Sequence, residues 1–267
     1  MSKVILIDVA KCSGCFNCQL ACKDEHCEND WTPYAAPQPL TGHFWCKVSE
    51  HVQGTIPKVK IHYVSKMCAH CENAACMAVC PDAAISKRDD GLVLIDPAKC
   101  SGCRKCMEAC PFDVIYFNDK ANIAQKCTGC AHLLDNGFTQ PRCSEACPTD
   151  AMVYGEKDDL LEQLKGAKPL IEGGNIYYKN IPGEFIGGTV YDPVEKEVII
   201  GASCLLCGEG KEYRTQTDSY GDFWFRDLPK GGVYTLTISA EGFRCQHFDT
   251  IVTDRSVNLD DIPMERE

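Results

Sequence analysis

The chain has 267 residues, of which 45% are hydrophobic and 24% are charged, values that exclude disorder and fibrous repeats and allow one to three domains. Its net charge of −11 lies mostly in residues 156–267, which hold 21 acidic and 12 basic side chains, and the lack of a basic face excludes nucleic-acid binding. Without a run of about 18 apolar residues or a signal-peptide pattern, the sequence predicts a cytoplasmic protein with no membrane anchor.

Cysteine is the unusual residue of this chain. There are 21 cysteines, and 18 of them lie before residue 150. A disulfide framework is typical of short secreted chains with an even count, so the length, the odd number and the missing export signal argue against one. Cysteines bunched two to four residues apart also suit a shared metal better than paired bridges. The composition therefore predicts a metal protein in a reducing compartment.

The first predicted element is a short strand over residues 1–8, which leads into the first of four cysteine groups. The groups are Cys12, Cys15, Cys18 and Cys22; Cys68, Cys71, Cys76 and Cys80; Cys100, Cys103, Cys106 and Cys110; and Cys127, Cys130, Cys143 and Cys147. The first and third have the C-x2-C-x2-C-x3-C spacing of bacterial ferredoxins. In that spacing three thiolates on one curled loop bind one cubane, and the fourth binds the neighbouring cluster.

Zinc is the alternative metal for such groups, because C-x2-C pairs also form zinc ribbons and knuckles. Zinc does not require a third cysteine two residues further on, nor a proline after the last one. Pro81, Pro111 and Pro148 follow three of the groups, and Lys23 stands at that position in the first. The spacing favours iron–sulfur clusters, although the fourth group alone would be ambiguous.

An internal repeat supports two ferredoxin-like units. Residues 6–15 reappear as residues 94–103, and each copy reads as a strand that runs into a cluster loop. Gly14 and Gly102 stand where we expect the backbone to turn toward sulfide without a side chain in the way. A strand predicted at 92–95 joins the second and third groups, so these two share one unit. The first and fourth groups are then left to form the other unit around that insertion.

Within each unit, the fourth cysteine of one group is expected to bind the cluster of the other group. The sixteen cysteines then predict four [4Fe–4S] clusters, or three if one site is empty. The long gap in the fourth group makes it the first candidate for an empty site. The predicted ligand sets are Cys12, Cys15, Cys18 and Cys147; Cys127, Cys130, Cys143 and Cys22; Cys68, Cys71, Cys76 and Cys110; and Cys100, Cys103, Cys106 and Cys80.

The region after the fourth group contains no motif for catalysis. Residues 158–165 predict a short helix that ends near Gly166. Cys204 and Cys207 form one more C-x2-C pair, but in a strand their side chains face opposite sides, so we interpret them as packing residues. His70, between two cluster ligands, is interpreted as a packing residue too. No nucleophile elbow, phosphate loop or dinucleotide fingerprint is present, so no catalytic residue is predicted.

After Gly183 the pattern becomes all-β. Strands are predicted near 185–191, 197–206, 212–217, 222–227, 233–240 and 245–252, enough for a small sandwich or barrel. Residues 188–192, 217–225 and 234–243 resemble the prealbumin-like, carboxypeptidase-regulatory sandwich, a module that offers strands and loops for docking rather than chemistry.

The predicted fold class is α+β, with two ferredoxin-like two-cluster units, one inserted in the other, followed by an all-β sandwich. The outer unit comprises 1–30 and 127–183, and it holds the first and fourth groups. The inserted unit comprises 31–126, and the sandwich comprises 184–267.

The four groups resemble the four-cluster electron-transfer subunits of the dimethyl-sulfoxide reductase superfamily of molybdopterin enzymes. The resemblance is carried by Cys68-Ala69-His70-Cys71, by residues 141–151 and by residues 176–182, and it covers roughly residues 3–183. Ala75 departs from it, since such subunits often have proline there. Together with the β tail, the likeness narrows to the small subunits of phenol transhydroxylases, which move hydroxyl between pyrogallol and phloroglucinol.

This resemblance implies an iron–sulfur electron-transfer subunit without an active site of its own. Its partner would be a large catalytic subunit that holds molybdenum bis-pyranopterin guanine dinucleotide, in a heterodimer or a dimer of heterodimers. A structural or docking subunit is the first alternative, because hydroxyl transfer between phenols is redox-neutral overall. A free-standing polyferredoxin is the second, although the β tail argues against a diffusing carrier.

Overall fold

A computed structural model describes residues 3–267 and divides them into two compact units. The first unit holds the described residues up to Glu50 together with His62–Ile181, and the second holds His51–Ile61 and Pro182–Glu267. The predicted N-terminal strand is present from Lys3 to Asp8, and its first two positions lie outside the described residues. Among the helices of residues 3–267, none is long and apolar enough to cross a membrane.

The first unit contains a four-stranded sheet and several hairpins. In chain order the strands up to residue 179 are β1 (Lys3–Asp8), β2 (Lys47–Thr55), β3 (Lys58–Lys66), β4 (Ile85–Lys87), β5 (Val93–Ile95), β6 (Tyr116–Asn118), β7 (Ile123–Gln125), β8 (Met152–Glu156), β9 (Lys168–Pro169) and β10 (Ile176–Lys179). The sheet has the order β8-β1-β10-β9, with β1 parallel to β10 and antiparallel to β8. Residues 4–7 of β1 are all buried, as expected of an apolar run in a central strand.

Five short helices position cysteines of the groups. They are α1 (Asn17–His26), α2 (Ala75–Ala78), α3 (Lys105–Ala109), α4 (Ala131–Asp135) and α5 (Arg142–Glu145). The third cysteine of each group lies in α1, α2, α3 or α5. Helix α1 packs against α5, and α2 packs against α3. The first group therefore lies beside the fourth, and the second lies beside the third.

The two copies of the internal repeat have the same local structure. Strands β1 and β5 each lead into a cluster loop, and Phe16 and Arg104, at matching positions, take left-handed backbone angles that start helices α1 and α3. The strand predicted at 92–95 is therefore confirmed as β5. Hairpins β4–β5 and β6–β7 flank the third group, and buried side chains from both hairpins form a small core with its cysteines.

The prediction of a helix at 158–165 is wrong, because these residues form consecutive turns. Only Leu160 is buried there, at 7% exposure, where its side chain lies near Gly155. An eight-residue segment with one buried anchor gains too little from packing to offset the cost of helix nucleation.

Two sheets build the β region of the second unit. Its strands are β11 (Glu184–Asp192), β12 (Glu197–Val198), β13 (Ser203–Gly208), β14 (Lys211–Gln216), β15 (Asp222–Leu228), β16 (Val233–Ser239), β17 (Gln246–Val252) and β18 (Val257–Pro263). One sheet joins β12, β11 and β15, with β18 parallel to β11, and the other has the order β14-β13-β16-β17. Alternate residues of β13, β15 and β16 are buried and contribute to one apolar core.

Two strand predictions in this region need correction. The segment 197–206 is two strands rather than one, because a turn with Gly201 at a φ of +75° separates β12 from β13. Strand β18 was not predicted. Its register against β11 shifts between Gly187 and Thr189, and Asp260 takes a left-handed φ of 54°, so its sequence lacks the regular alternation of a strand.

Inside the second unit an ion pair joins Lys58, the first residue of β3, to Asp222, the first residue of β15. The ammonium group of Lys58, 4% exposed, lies 2.6 Å from a carboxylate oxygen of Asp222, which also accepts a hydrogen bond from the Thr189 hydroxyl at 2.7 Å. Burial alone would raise the pKa of Asp222, but the hydrogen bonds from Lys58 and Thr189 and the Lys58 charge hold it below its ordinary value.

We expect Asp222→Asn to lower the free energy of unfolding of this unit by about 2 to 3 kcal/mol, because it leaves the Lys58 charge buried without a counter-ion. Since the folded pKa of Asp222 is lowered, this contribution is present above the unfolded pKa of about 4 and is lost as pH falls through the folded value. Hydrogen exchange of the β15 and β16 amides measures the loss. Glu212→Gln, which breaks the exposed pair with Arg214, is the control with an expected effect below about 0.5 kcal/mol. Equal effects of the two substitutions would contradict this account.

Candidate iron–sulfur centres

Four cysteines from the two ends of the first unit line one cavity. They are Cys12, Cys15, Cys18 and Cys147, and this set is called centre 1. The thiols interact, because the charges of Cys18, Cys147 and Cys15 help burial to raise the pKa of Cys12. Three of these cysteines belong to the first group. The other one, Cys147, belongs to the fourth group and lies 135 positions after Cys12. The cavity therefore brings together the four cysteines of one predicted ligand set.

A second cavity is lined by Cys68, Cys71, Cys76 and Cys110, the set called centre 3. Burial raises the pKa of Cys71 and Cys76, and the charges of Cys68 and Cys110 raise both further. Here the fourth side chain comes from the third group, so the cross-group arrangement of centre 1 recurs.

Centre 2 comprises Cys22, Cys127, Cys130 and Cys143. Cys22 is 6% exposed, and its pKa is raised by burial and then by the charges of Cys127, Cys143 and Cys130. The packing of α1 against α5 brings Cys22 to these residues. The structure thus brings the fourth cysteine of the first group to the fourth group.

Centre 4 is the remaining predicted set of Cys80, Cys100, Cys103 and Cys106. Burial raises the pKa of Cys106 to about 11, and the charges of Cys100 and Cys103 contribute. Cys80 and Cys100 pack against the same small core as Cys106. Beyond this shared core, the membership of Cys80 in the set stays a prediction.

Neighbouring cysteines order the four centres in a row. The neighbouring thiols of Cys143 in centre 2 and Cys18 in centre 1, followed by burial, raise the pKa of Cys46. The charge of Cys68 in centre 3 acts on Cys127 in centre 2, and Cys76 in centre 3 acts on Cys106 in centre 4. The order is therefore centre 1, 2, 3 and 4. Cys15 and Cys103, in the two end centres, are exposed, whereas no cysteine of centres 2 and 3 is.

These sets suit cubane clusters in both geometry and charge. Within residues 3–267, no three His, Cys, Asp or Glu side chains converge closely enough to hold a single metal ion, and the thiols of centres 1 and 3 line cavities. Burial raises the pKa of several of the thiols, to about 12 at Cys127, so four thiolates in one cavity require cations beside them. The irons of a [4Fe–4S] cluster supply that charge.

Backbone amides donate to some of the cysteine sulfur atoms. The amide of Gly129 lies 3.3 Å from the sulfur of Cys127, and the amide of His70 lies 3.4 Å from the sulfur of Cys68. Such bonds stabilise the thiolate form and contribute to cluster potentials. The donor in both cases is two residues after the first cysteine of a group, where the loop curls around its ligand.

Sequence reasoning missed three residues at these centres. Cys46, 1% exposed, lies between centres 1 and 2, and the hydroxyl of Ser65 lies 3.6 Å from the Cys18 sulfur. Lys126 is buried and lines centre 3. Cys46 and Ser65 are at least 24 residues from any cysteine of the centres they reach, so no spacing signal could have found them. Lys126 adjoins Cys127, but adjacency does not reveal burial.

The packing roles predicted for the other candidates agree with the structure. Cys204 is fully buried in β13, whereas Cys207 is half-buried, as expected of side chains on opposite faces. His70 is buried, and its Nδ1 atom accepts a hydrogen bond of 2.9 Å from the Val93 amide. Because Nδ1 accepts, the proton of a neutral His70 lies on Nε2.

The repeat glycines have the predicted backbone freedom but not the predicted neighbour. Gly14 and Gly102 have φ angles of +68° and +77°. A Cβ atom at Gly14 would lie 2.5 Å from the Tyr63 ring, and one at Gly102 would lie 2.5 Å from the carbonyl oxygen of Asn122. The space that each glycine leaves is therefore filled by protein.

We expect Gly102→Ala to displace the third cysteine loop and lower the iron content of the purified chain. The clash with a backbone oxygen adds to the strain of a positive φ, which alone costs about 1 kcal/mol. Gly42→Ala is the matched control, since Gly42 has a φ of +66° and nothing within 4 Å of the added atom. Iron analysis of the two variants measures the difference, and equal iron in both would show that the close approach to Asn122 does not matter.

Comparison with family models identifies two regions. Residues 59–157 match the 4Fe-4S dicluster domain, and residues 186–265 match the carboxypeptidase regulatory-like domain. The chain therefore combines a ferredoxin-like 4Fe-4S region with a regulatory-type β region, and its described residues form mostly strands with few, short helices where the sequence predicted an α+β class.

Comparison with curated proteins finds similarity along nearly the whole chain. The pyrogallol hydroxytransferase small subunit of Pelobacter acidigallici is 37% identical over 96% of this chain and 96% of its own length. The arsenate respiratory reductase iron-sulfur subunit of a Shewanella strain is 42% identical over 43% of this chain and 44% of its own. One subunit of the anaerobic dimethyl sulfoxide reductase of Escherichia coli is 38% identical over 46% of this chain and 59% of its own.

Proposed function

The chain belongs to the family of the pyrogallol hydroxytransferase small subunit, and from this membership we propose that it is the iron–sulfur electron-transfer subunit of a molybdopterin enzyme. Its partner is a large catalytic subunit that binds molybdenum bis-pyranopterin guanine dinucleotide, in a heterodimer or a dimer of heterodimers. The reaction of that subunit is hydroxyl transfer between phenols, from pyrogallol to phloroglucinol. A cytoplasmic location remains a prediction.

Four [4Fe–4S] clusters, one at each centre, are part of this proposal. The crossing of ligands between the first and fourth groups, and between the second and third, supports two ferredoxin-like units with one inserted in the other. When bound, such clusters supply one-electron transfer at potentials set by hydrogen bonds, burial and net charge. The protein side chains hold them in place, and they leave an exposed cysteine at each of the two end centres but none at the middle pair.

The succession of neighbouring centres, with an exposed cysteine in the first and the last, is the observation that carries the electron-transfer proposal. Clusters that only stabilised the fold would not need to lie in a row, nor to approach the surface at both ends. In the proposed path one end exchanges electrons with the partner and the other with an external donor or acceptor. Centres 2 and 3, which have no exposed cysteine, connect them. Exposed Cys15 and Cys103 mark the two ends.

A structural subunit is the competing function, because the reaction named for the relative is a group transfer. The test is Cys103→Ser in the complex purified with its large subunit. If electrons pass along the row, reduction of the complex by an external low-potential dye slows by at least about tenfold while the large subunit stays bound. If the clusters only stabilise the chain, the variant either dissociates or accepts electrons at the original rate.

A further inference from the structure

Lys126 is a buried cation without an acidic partner. It is 3% exposed, and its ammonium group donates to the carbonyl oxygens of Val93 and Cys127. Across residues 3–267, no carboxylate forms an ion pair with it. Two neutral carbonyl oxygens satisfy hydrogen bonds but do not neutralise a charge, and an uncompensated buried charge is strongly unfavourable. An anion must therefore lie close to Lys126 in the functional protein.

The cysteine cavity of centre 3 is the place where such an anion can lie. Lys126 is the one charged side chain among the described residues that line the cavity of centre 3, whose other lining residues are apolar side chains and cysteines. The Lys126 ammonium group also lies 3.2 Å from the carbonyl oxygen of Cys127, a predicted ligand of centre 2. In such apolar surroundings a fixed charge acts strongly, because little solvent screens it.

The other groups of the chain provide an internal comparison. A lysine also precedes the first cysteine of the first and third groups, at Lys11 and Lys99, and both of these side chains are exposed. The corresponding position of the second group is Met67, which is fully buried. A buried charge at this position is therefore particular to Lys126, and a methionine of similar size fits a buried site next to a cluster ligand.

We propose that Lys126 is a charge-compensating residue that raises the reduction potentials of the clusters at centres 3 and 2, with the larger effect at centre 3. Reduction adds one electron to a cluster that is already anionic, and a fixed cation beside it stabilises the reduced form. Buried clusters in apolar surroundings would otherwise be the hardest of the row to reduce. Lys126 thereby allows the clusters at centres 2 and 3 to be reduced during electron transfer, a consequence that rests on the proposed function.

Redox titration of the anaerobically purified full chain, with dithionite as reductant and the clusters followed by electron paramagnetic resonance, tests this proposal. Lys126→Met is expected to shift the midpoint potential of one cluster downward, with a smaller downward shift of a second. Lys126→Arg keeps the charge and is expected to restore both. Lys99→Met is the matched control, since that exposed lysine also precedes a first cysteine, and it is expected to leave all potentials unchanged.

Each outcome decides the proposal. Unchanged potentials in Lys126→Met, or an equal shift in Lys126→Arg, overturn it. If Lys126→Met loses a cluster, Lys126→Gln gives the neutral comparison with a hydrogen-bond donor retained. If both neutral variants lose a cluster and Lys126→Arg keeps it, the result supports charge compensation. If all three variants lose the cluster, Lys126 is a purely structural anchor and the proposal is overturned.

The potentials are equilibrium quantities, so they are independent of whether the clusters work in turnover. A downward shift in Lys126→Met with an unchanged dye-reduction rate in Cys103→Ser would support the inference and reject the proposed electron transfer. The reverse combination would reject the inference alone.

Discussion

Cys110→Ala is expected to remove or convert the cluster at centre 3 and to leave the cluster that binds the other cysteines of its own loop. Its side chain lines the cavity of Cys68, Cys71 and Cys76, and a cubane that loses one of four thiolates loses an iron or dissociates. Iron is expected to fall from about 16 per chain to between about 15 and 12, and electron paramagnetic resonance shows which cluster has changed.

The decisive comparison is between the spectrum of Cys110→Ala and the spectra of three further variants. Cys71→Ala removes a different ligand of centre 3, so its spectrum should lack the same signals as that of Cys110→Ala. Cys103→Ala alters centre 4, and its spectrum should lack a different set. Cys207→Ala, outside all four groups, should keep every signal. If Cys110→Ala instead matched Cys103→Ala, each group would bind its own cluster and the crossing would be wrong.

Removal of the β region is expected to abolish association with the large subunit while leaving the iron content near about 16 per chain. Residues 184–267 contain none of the predicted ligands, and an interface of standard size, about 1,600 Å2 in total, would be enough for this region to determine assembly. Because residues 156–267 hold most of the negative charge, part of the association in the intact chain should also weaken as salt rises.

The deletion must also remove His51–Ile61, which belongs to the second unit. Truncation after Gly183 alone would leave His51–Ile61 without the strands that it packs with, including the ion pair from Lys58 to Asp222. The variant should therefore also replace 51–61 with a two-residue Asn-Gly turn, and a full-length chain with only that replacement is the control. A truncated chain that still co-purifies at full stoichiometry would show that the β region is not the docking module. Loss of iron on truncation would show that the β region protects a cluster.

The sequence predicts the local parts of these centres well because each depends on short spacing. Three thiols on one curled loop and the repeat of β1 and β5 are both encoded within about ten positions. The crossing of Cys147 to the loop of Cys12 was also predictable, since it follows from a rule about paired groups rather than from adjacency. Assignment of ligands remains a prediction until iron is observed at the sites.

The features that could not be predicted depend on distant contacts. Cys46 stands outside the four groups, and only the folded chain brings it between Cys18 and Cys143. Lys126 resembles Lys11 and Lys99 in sequence, but its burial depends on Val93 and the hairpins around centre 3. The segment 51–61 joins the β region through Lys58, which no local pattern indicates.

Diffraction from crystals of the anaerobically purified chain, recorded at the iron absorption edge, tests the central claim most directly. The account predicts four cubane peaks in a row, with Cys147 at the cluster of Cys12, Cys22 at that of Cys127, Cys110 at that of Cys68, and Cys80 at that of Cys100. Each cluster bound by the four cysteines of its own group, or zinc at the iron positions, would contradict it.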